Sequence, residues 1–181
     1  LCYNCFMQIL LMCMLFVAGC CIGSFVCCQA RRLHMRTSKK KKNVILGNRS
    51  VCMGCHYQLK WYDNIPIISW LWLKGKCRKC GSRIGVAEIL AEIGTGLGFV
   101  CVGTTIQVDA AGVVEWLVFG MNIILVGVLA FLAVYDGLYG ELPVRYLVIS
   151  IICAVMLAIF KIWGLCVTGA FSTTDLLGLA G

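Results

Sequence analysis

The sequence predicts an all-α polytopic membrane protein, with at least four transmembrane helices and a zinc-binding cytoplasmic loop domain between the first and second. Three observations predict it. Of 181 residues, 61% are hydrophobic and only 13% charged, and mean hydropathy is +0.91; a soluble domain is about 45–50% apolar and about 25% charged. Four apolar stretches are each long enough to cross the hydrocarbon, which takes about 20 residues of helix. Two C-x-x-C pairs lie in the one strongly polar segment. Together these exclude a soluble globular domain, a disordered tail and a collagen-like chain.

The apolar stretches run over about 6–28, 88–108, 114–135 and 144–165. Each is expected to be helical, because backbone groups in lipid must be paired within the segment. A fifth apolar run opens at Leu176 and reaches only Gly181. The chain opens on Leu1 and closes inside that run, so it is expected to be a piece of a longer protein. The first stretch is not a cleavable signal peptide, since its basic cluster follows it rather than precedes it.

Charge sets the orientation. Fourteen of the 16 Lys and Arg residues fall between Arg31 and Arg83. Cytoplasmic segments carry the Lys/Arg excess, so 29–83 is assigned to the cytoplasm and the N-terminus to the outside. Three units follow: 1–28, the first transmembrane helix; 29–83, a basic cytoplasmic loop; and 84–181, the start of a second membrane domain. Alternation puts the Asp109 loop outside, the 136–143 loop with Asp136 and Glu141 inside, and the Asp175 loop outside. Trp116, Tyr135, Tyr139, Tyr146 and Trp163 fall near span ends and read as interfacial anchors. Lys161 can snorkel outward. The lysine run Lys39–Lys42 is attracted to anionic lipid headgroups by about 1 kcal/mol per residue. That accounts for the charge without nucleic acid, and no nucleic-acid partner is expected.

Of 14 cysteines, those in apolar helices read as small hydrophobes. Cys2 and Cys5 form a C-x-x-C outside the membrane, for which metal binding or a disulfide is only the minor reading. Cys52, Cys55, Cys77 and Cys80 are different: two C-x-x-C pairs separated by 21 residues. Each pair can put two thiolates on one metal, and two pairs complete a tetrahedron. In a reducing compartment disulfides are rare, so structural zinc is expected. A loop this small needs such a staple. His56 adjoins the first pair but four cysteines make it unnecessary as a ligand, and His34 reads as a surface residue. Between the pairs, Leu59–Leu71 is too aromatic for a linker, and Pro66 forbids a straight helix through it. That segment is expected to pack on the cysteine module or lie on the membrane surface.

Asp136 closes the third span, where ionisable groups are functional candidates. Glu88 and Glu92, four apart, share one face at the start of the second span and are expected to pair with basic loop residues or hold polar positions between helices.

These residues resemble the type IV prepilin peptidases. Gly23-Ser24-Phe25 with Arg32 is similar to that family's start. The likeness continues through Cys52-x-x-Cys55, Leu59-x-Trp61-x-Asp63-Asn64-Ile65-Pro66, Ser69-Trp70-Leu71, Lys74-Gly75-x-Cys77-Arg78-x-Cys80 and Glu92. Asp136-Gly-Leu-Tyr-Gly-Glu-Leu-Pro143 resembles the segment with the first catalytic aspartate. The resemblance covers about 23–143. It departs at Cys27, where the family usually has Asn, and at Met53-Gly54, where Pro is usual inside the first pair. The second catalytic aspartate belongs to a G-x-G-D motif that does not occur in this sequence. Truncation before that motif is expected, and a degenerate relative is the rival account.

The resemblance implies an aspartic endopeptidase in the bacterial inner membrane, cleaving the leader of type IV pilin or pseudopilin precursors at the cytoplasmic face. Asp136 would be one of two catalytic carboxylates, and the fragment alone would be inactive. Bifunctional members also methylate the new N-terminus with S-adenosylmethionine, which stays an implication of resemblance. A non-enzymatic zinc-knuckle assembly protein is the alternative, and a membrane thiol oxidoreductase a weaker one.

Overall fold

A computed structural model describes residues 2–37, 51–52, 54–106 and 112–167. The elements are α1 (Cys2–Thr37), a 3-10 turn (Trp61–Asn64), α2 (Ile68–Trp72), α3 (Val86–Gly103), α4 (Val113–Tyr139) and α5 (Val144–Val167). No strand occurs among the described residues, which hold only two isolated antiparallel bridges, Val51 with Gln58 and Lys76 with Arg83. Four helices, α1, α3, α4 and α5, are long and apolar enough to cross a membrane. The chain is a multi-pass membrane protein. The Lys39–Lys42 run, the Asp109 and Asp175 loops, the Cys2 side chain and the apolar run from Leu176 lie outside the described residues.

The helices match the expected spans, with different ends. The apolar stretch ends near 28, yet α1 continues to Thr37. Gln29–Thr37 holds neither Gly nor Pro and is rich in helix formers, so nothing stops the helix at the polar boundary. Asp136 was expected in a loop; it lies in the last turn of α4, which runs on to Tyr139. Gly140 ends the helix, because its φ of 64° is left-handed and glycine takes that conformation without steric cost. Its N–H bonds the Asp136 carbonyl at 2.7 Å.

α1 and α3 are antiparallel and meet backbone to backbone. A Cβ on Gly19 would lie 2.7 Å from the Gly96 Cα, and one on Gly23 would lie 2.7 Å from the Glu92 Cα. Small residues four apart permit this approach in lipid, where dispersion and not the hydrophobic effect drives helix association. Gln8 donates to the Ile106 carbonyl at the far end. α4 lies parallel to α1, and their shared core is Val26 and Ala30 against Phe131 and Tyr135. Tyr135 is thus core and not an interfacial anchor; it is only 4% exposed, because α1 covers the end of α4. α5 packs on α4 and leaves Val148, Ile151, Ile152 and Val155 outward, as suits a lipid-facing helix.

Candidate functional site

The two cysteine pairs fold as matching knuckles. In the first, the Cys52 N–H bonds the Tyr57 carbonyl and the His56 N–H bonds the Cys52 carbonyl, both at 2.9 Å. In the second, the Cys77 N–H bonds the Ser82 carbonyl at 2.8 Å and the Gly81 N–H bonds the Cys77 carbonyl at 3.0 Å. Each bridge pair brackets one knuckle. His56 and Gly81 hold the same place, one residue after the second cysteine, with φ of 54° and 70°.

The four Sγ atoms lie within 4.8 Å of one another. Cys52 and Cys80 are 3.8 Å apart, and tetrahedral bonds of 2.3 Å to zinc would separate two sulfurs by about 3.8 Å. The Ser82 hydroxyl sits 3.1 Å from Cys80 Sγ and 3.4 Å from Cys52 Sγ. Burial pushes the Cys52 thiol up, but the Ser82 hydroxyl and the backbone of Cys55 and Gly54 outweigh it and hold the thiol at about 6. Ser82 also lowers Cys80. At Cys55 the backbone bond at Tyr57 lowers the thiol, but burial and the neighbouring thiols Cys80, Cys52 and Cys77 raise it to about 11. Four sulfurs converging on one point at this spacing fit a tetrathiolate metal site.

The segment between the pairs packs on the second knuckle. Asp63, whose side chain is 1% exposed, accepts from Arg78 Nε at 2.8 Å and from the Lys60 N–H at 3.2 Å. The Arg78 guanidinium also lies 5.1 Å from the Tyr62 ring. Past Pro66 the chain turns sharply: the Ile68 N–H bonds the Pro66 carbonyl at 2.5 Å. Ile67, inside this γ-turn, has φ 61° and ψ −53°, a rare conformation for a β-branched residue. The Ile67 N–H donates to Glu92 Oε2 at 2.7 Å. Trp70 then lies over Gly75, where a Cβ would come 3.0 Å from the indole.

A cleft of about 430 Å³ opens between this module and the bundle, lined by Ser24 and Arg31 of α1, Glu88 and Glu92 of α3, and Asp63 and Trp70 of the loop. Arg31 and Glu88 form an ion pair across it. The buried Trp70 Nε1 has no hydrogen-bond partner among the described residues. Asp136 does not line this cleft. It is exposed on the α4 turn between Tyr135 and Tyr139. His34 is no plain surface residue: its ring stacks on Tyr139 with centroids 3.7 Å apart and planes 2° apart. α1 and α4 run parallel, so the Asp136 turn and the cysteine module lie at one end of the bundle.

Sequence reasoning gathered the four cysteines and paired Glu88 with a basic neighbour. It missed the role of Ser82, the bond from Ile67 to Glu92 and the His34–Tyr139 stack. His34 was discoverable once α1 is carried past residue 28, since Arg31 and His34 then share a face. The other two depend on tertiary turns with no sequence mark.

Such a bundle defines a class of membrane protein with a four-cysteine insert, able to hold a metal ion, between its first two spans. Residues 17–106 match the family model described as Bacterial Peptidase A24 N-terminal domain. The chain is 44% identical over 85 residues to a prepilin leader peptidase/N-methyltransferase of Myxococcus xanthus, covering 47% of this chain and 24% of that protein. Proteins of the same name from Klebsiella pneumoniae and Dickeya chrysanthemi are each 35% identical, over 49% and 44% of this chain and 39% and 28% of theirs. These matches together support a type IV prepilin peptidase. The matched segments cover well under half the length of these curated relatives. Asp136 lies beyond the span matched by the family model. No solved structure matches the chain.

Proposed function

We propose that the chain acts within a prepilin leader peptidase, an aspartic endopeptidase that removes the leader of type IV pilin-like precursors at the cytoplasmic face of the bacterial inner membrane. One observation carries this beyond the family matches. The exposed Asp136 stands at the same end of the bundle as the basic, cysteine-bearing loop, the side that the Lys/Arg excess assigns to the cytoplasm. A leader retained inside would present its scissile bond there.

Amide hydrolysis needs a polarised carbonyl and an activated water. Two adjacent carboxylates can share one proton, because both cannot ionise cheaply together. One then takes a proton from water while the other donates to the carbonyl or the departing amine. Asp136 is our assignment for one of the pair. Its mate is not in a G-x-G-D motif of this sequence, and we assign it to a longer form of the protein.

The cysteine quartet is assigned a structural role, with Cys52, Cys55, Cys77 and Cys80 as the ligands of one zinc ion. Four thiolates leave no open position for substrate. For the methyl transfer in the relatives' names, S-adenosylmethionine would supply an electrophilic methyl group. The cleft is of ligand size; its carboxylates suit ribose hydroxyls and cationic groups, and the unpartnered Trp70 N–H offers a donor. The anionic lipid surface is the partner proposed for the basic loop.

Expression of the full reading frame containing this chain, together with a pilin-like precursor, tests the peptidase assignment. Asp136→Asn is expected to abolish leader removal while leaving membrane insertion intact. Cleavage at the normal rate would remove Asp136 from the mechanism.

A further inference from the structure

Glu92, one of the carboxylates lining the cleft, is 7% exposed and makes the bond described from α3 to the inter-knuckle segment. The arrangement has three linked features. First, Ile67 sits in a left-handed γ-turn that an L-residue with a branched Cβ rarely adopts. Such strain persists only where surrounding structure over-determines it. Second, the Ile67 amide donates to the Glu92 side chain, at 2.7 Å. Glu88, one helical turn away on the same face, is instead paired with Arg31. Third, the turn is the root of α2, which delivers Trp70 over Gly75, and Gly75 immediately precedes the second knuckle. Its N–H bonds the Trp70 carbonyl at 2.9 Å, and its own carbonyl accepts from Ile84 at 2.7 Å.

We propose that Glu92 is a positioning residue that latches the cysteine module to the membrane bundle, by holding the Ile67 turn through its amide. The latch sets where α2 and the second knuckle stand relative to α3, and so fixes one wall of the cleft. It stands whether or not the chain is a peptidase.

Hydrogen exchange of the chain in lipid nanodiscs, read on the peptide covering 66–72, tests the latch. Glu92→Ala is expected to speed exchange there at least tenfold, with α1 and α3 protection unchanged. Glu92→Gln keeps an acceptor oxygen and is expected to fall between Ala and the parent. The discriminating variant is Ile67→Gly added to Glu92→Ala. Glycine adopts the turn without strain, so this double variant should exchange more slowly than Glu92→Ala alone. A role of Glu92 in helix packing would gain nothing from that glycine. Unchanged exchange in Glu92→Ala, or no rescue by Ile67→Gly, overturns the proposal.

Discussion

Asp63 shows how one buried acid can organise a small loop. It satisfies the Lys60 amide and the Arg78 guanidinium together, while Arg78 itself remains 43% exposed. Removing the acid leaves a backbone donor unsatisfied, which costs about 1–3 kcal/mol. Removing the base strands a carboxylate whose side chain is 1% exposed, and an uncompensated buried charge costs more than a lost surface pair. Arg78→Ala is therefore expected to destabilise the module at least as much as Asp63→Ala, as read by limited proteolysis of the 59–83 segment. His56 gives an opposite case. It occupies the left-handed position that Gly81 fills in the second knuckle, and a non-glycine residue there costs about 1–2 kcal/mol. His56→Gly should leave metal content unchanged and should not weaken the module; a loss of bound metal would make His56 a ligand. The cysteines set a pH dependence. The Cys52 thiol is held at about 6 against an ordinary 9.0. A depressed thiol stabilises the fold above its unfolded value and loses that contribution as pH falls through the folded one. Protons and metal compete for the same sulfurs. Metal retention, followed by elemental analysis after dialysis, is thus expected to fall as the pH is lowered.

Among the elements, α1 and α3 are the pair least tolerant of change. A Cβ at Gly19 or Gly23 would lie 2.7 Å from the backbone of α3, closer than any real contact. Gly23→Ala should cost about 1–3 kcal/mol as the helices are forced apart, while Gly120→Ala, whose Cβ meets nothing within 4 Å, should be neutral. Thermal unfolding in detergent compares the two. The helices themselves were legible, because four long apolar stretches admit no other backbone solution in lipid. Their ends were less so. The polar residues after 28 and at 136 look like loop, but helix propensity and the late glycine at 140 carry α1 and α4 beyond the hydropathy edge. The cysteine quartet was legible from spacing alone. Its setting on Ser82, and its tie to Glu92 through Ile67, come from turns that bring distant residues together, and spacing holds no record of those.

At the scale of the whole molecule, the parallel course of α1 and α4 puts one end of the bundle in charge of both the cysteine module and Asp136. An epitope inserted after Gly140 is expected to be reached from the same side of the membrane as one beside Ser82. Opposite accessibility would remove the peptidase assignment, since a retained leader could not reach the acid. The glycine-lined contact of α1 with α3 has a further bearing on how the knuckle assembles. It brings the two stems of the intervening polar stretch side by side before any ion arrives, so much of the entropy of drawing the ends together has already been spent by the lipid-embedded pair. An ion held by the quartet would then have only a closed ring to crease. Stripping such an ion should slacken that ring without unmooring it, and restoring it should recover the crease with no need to take the bundle apart.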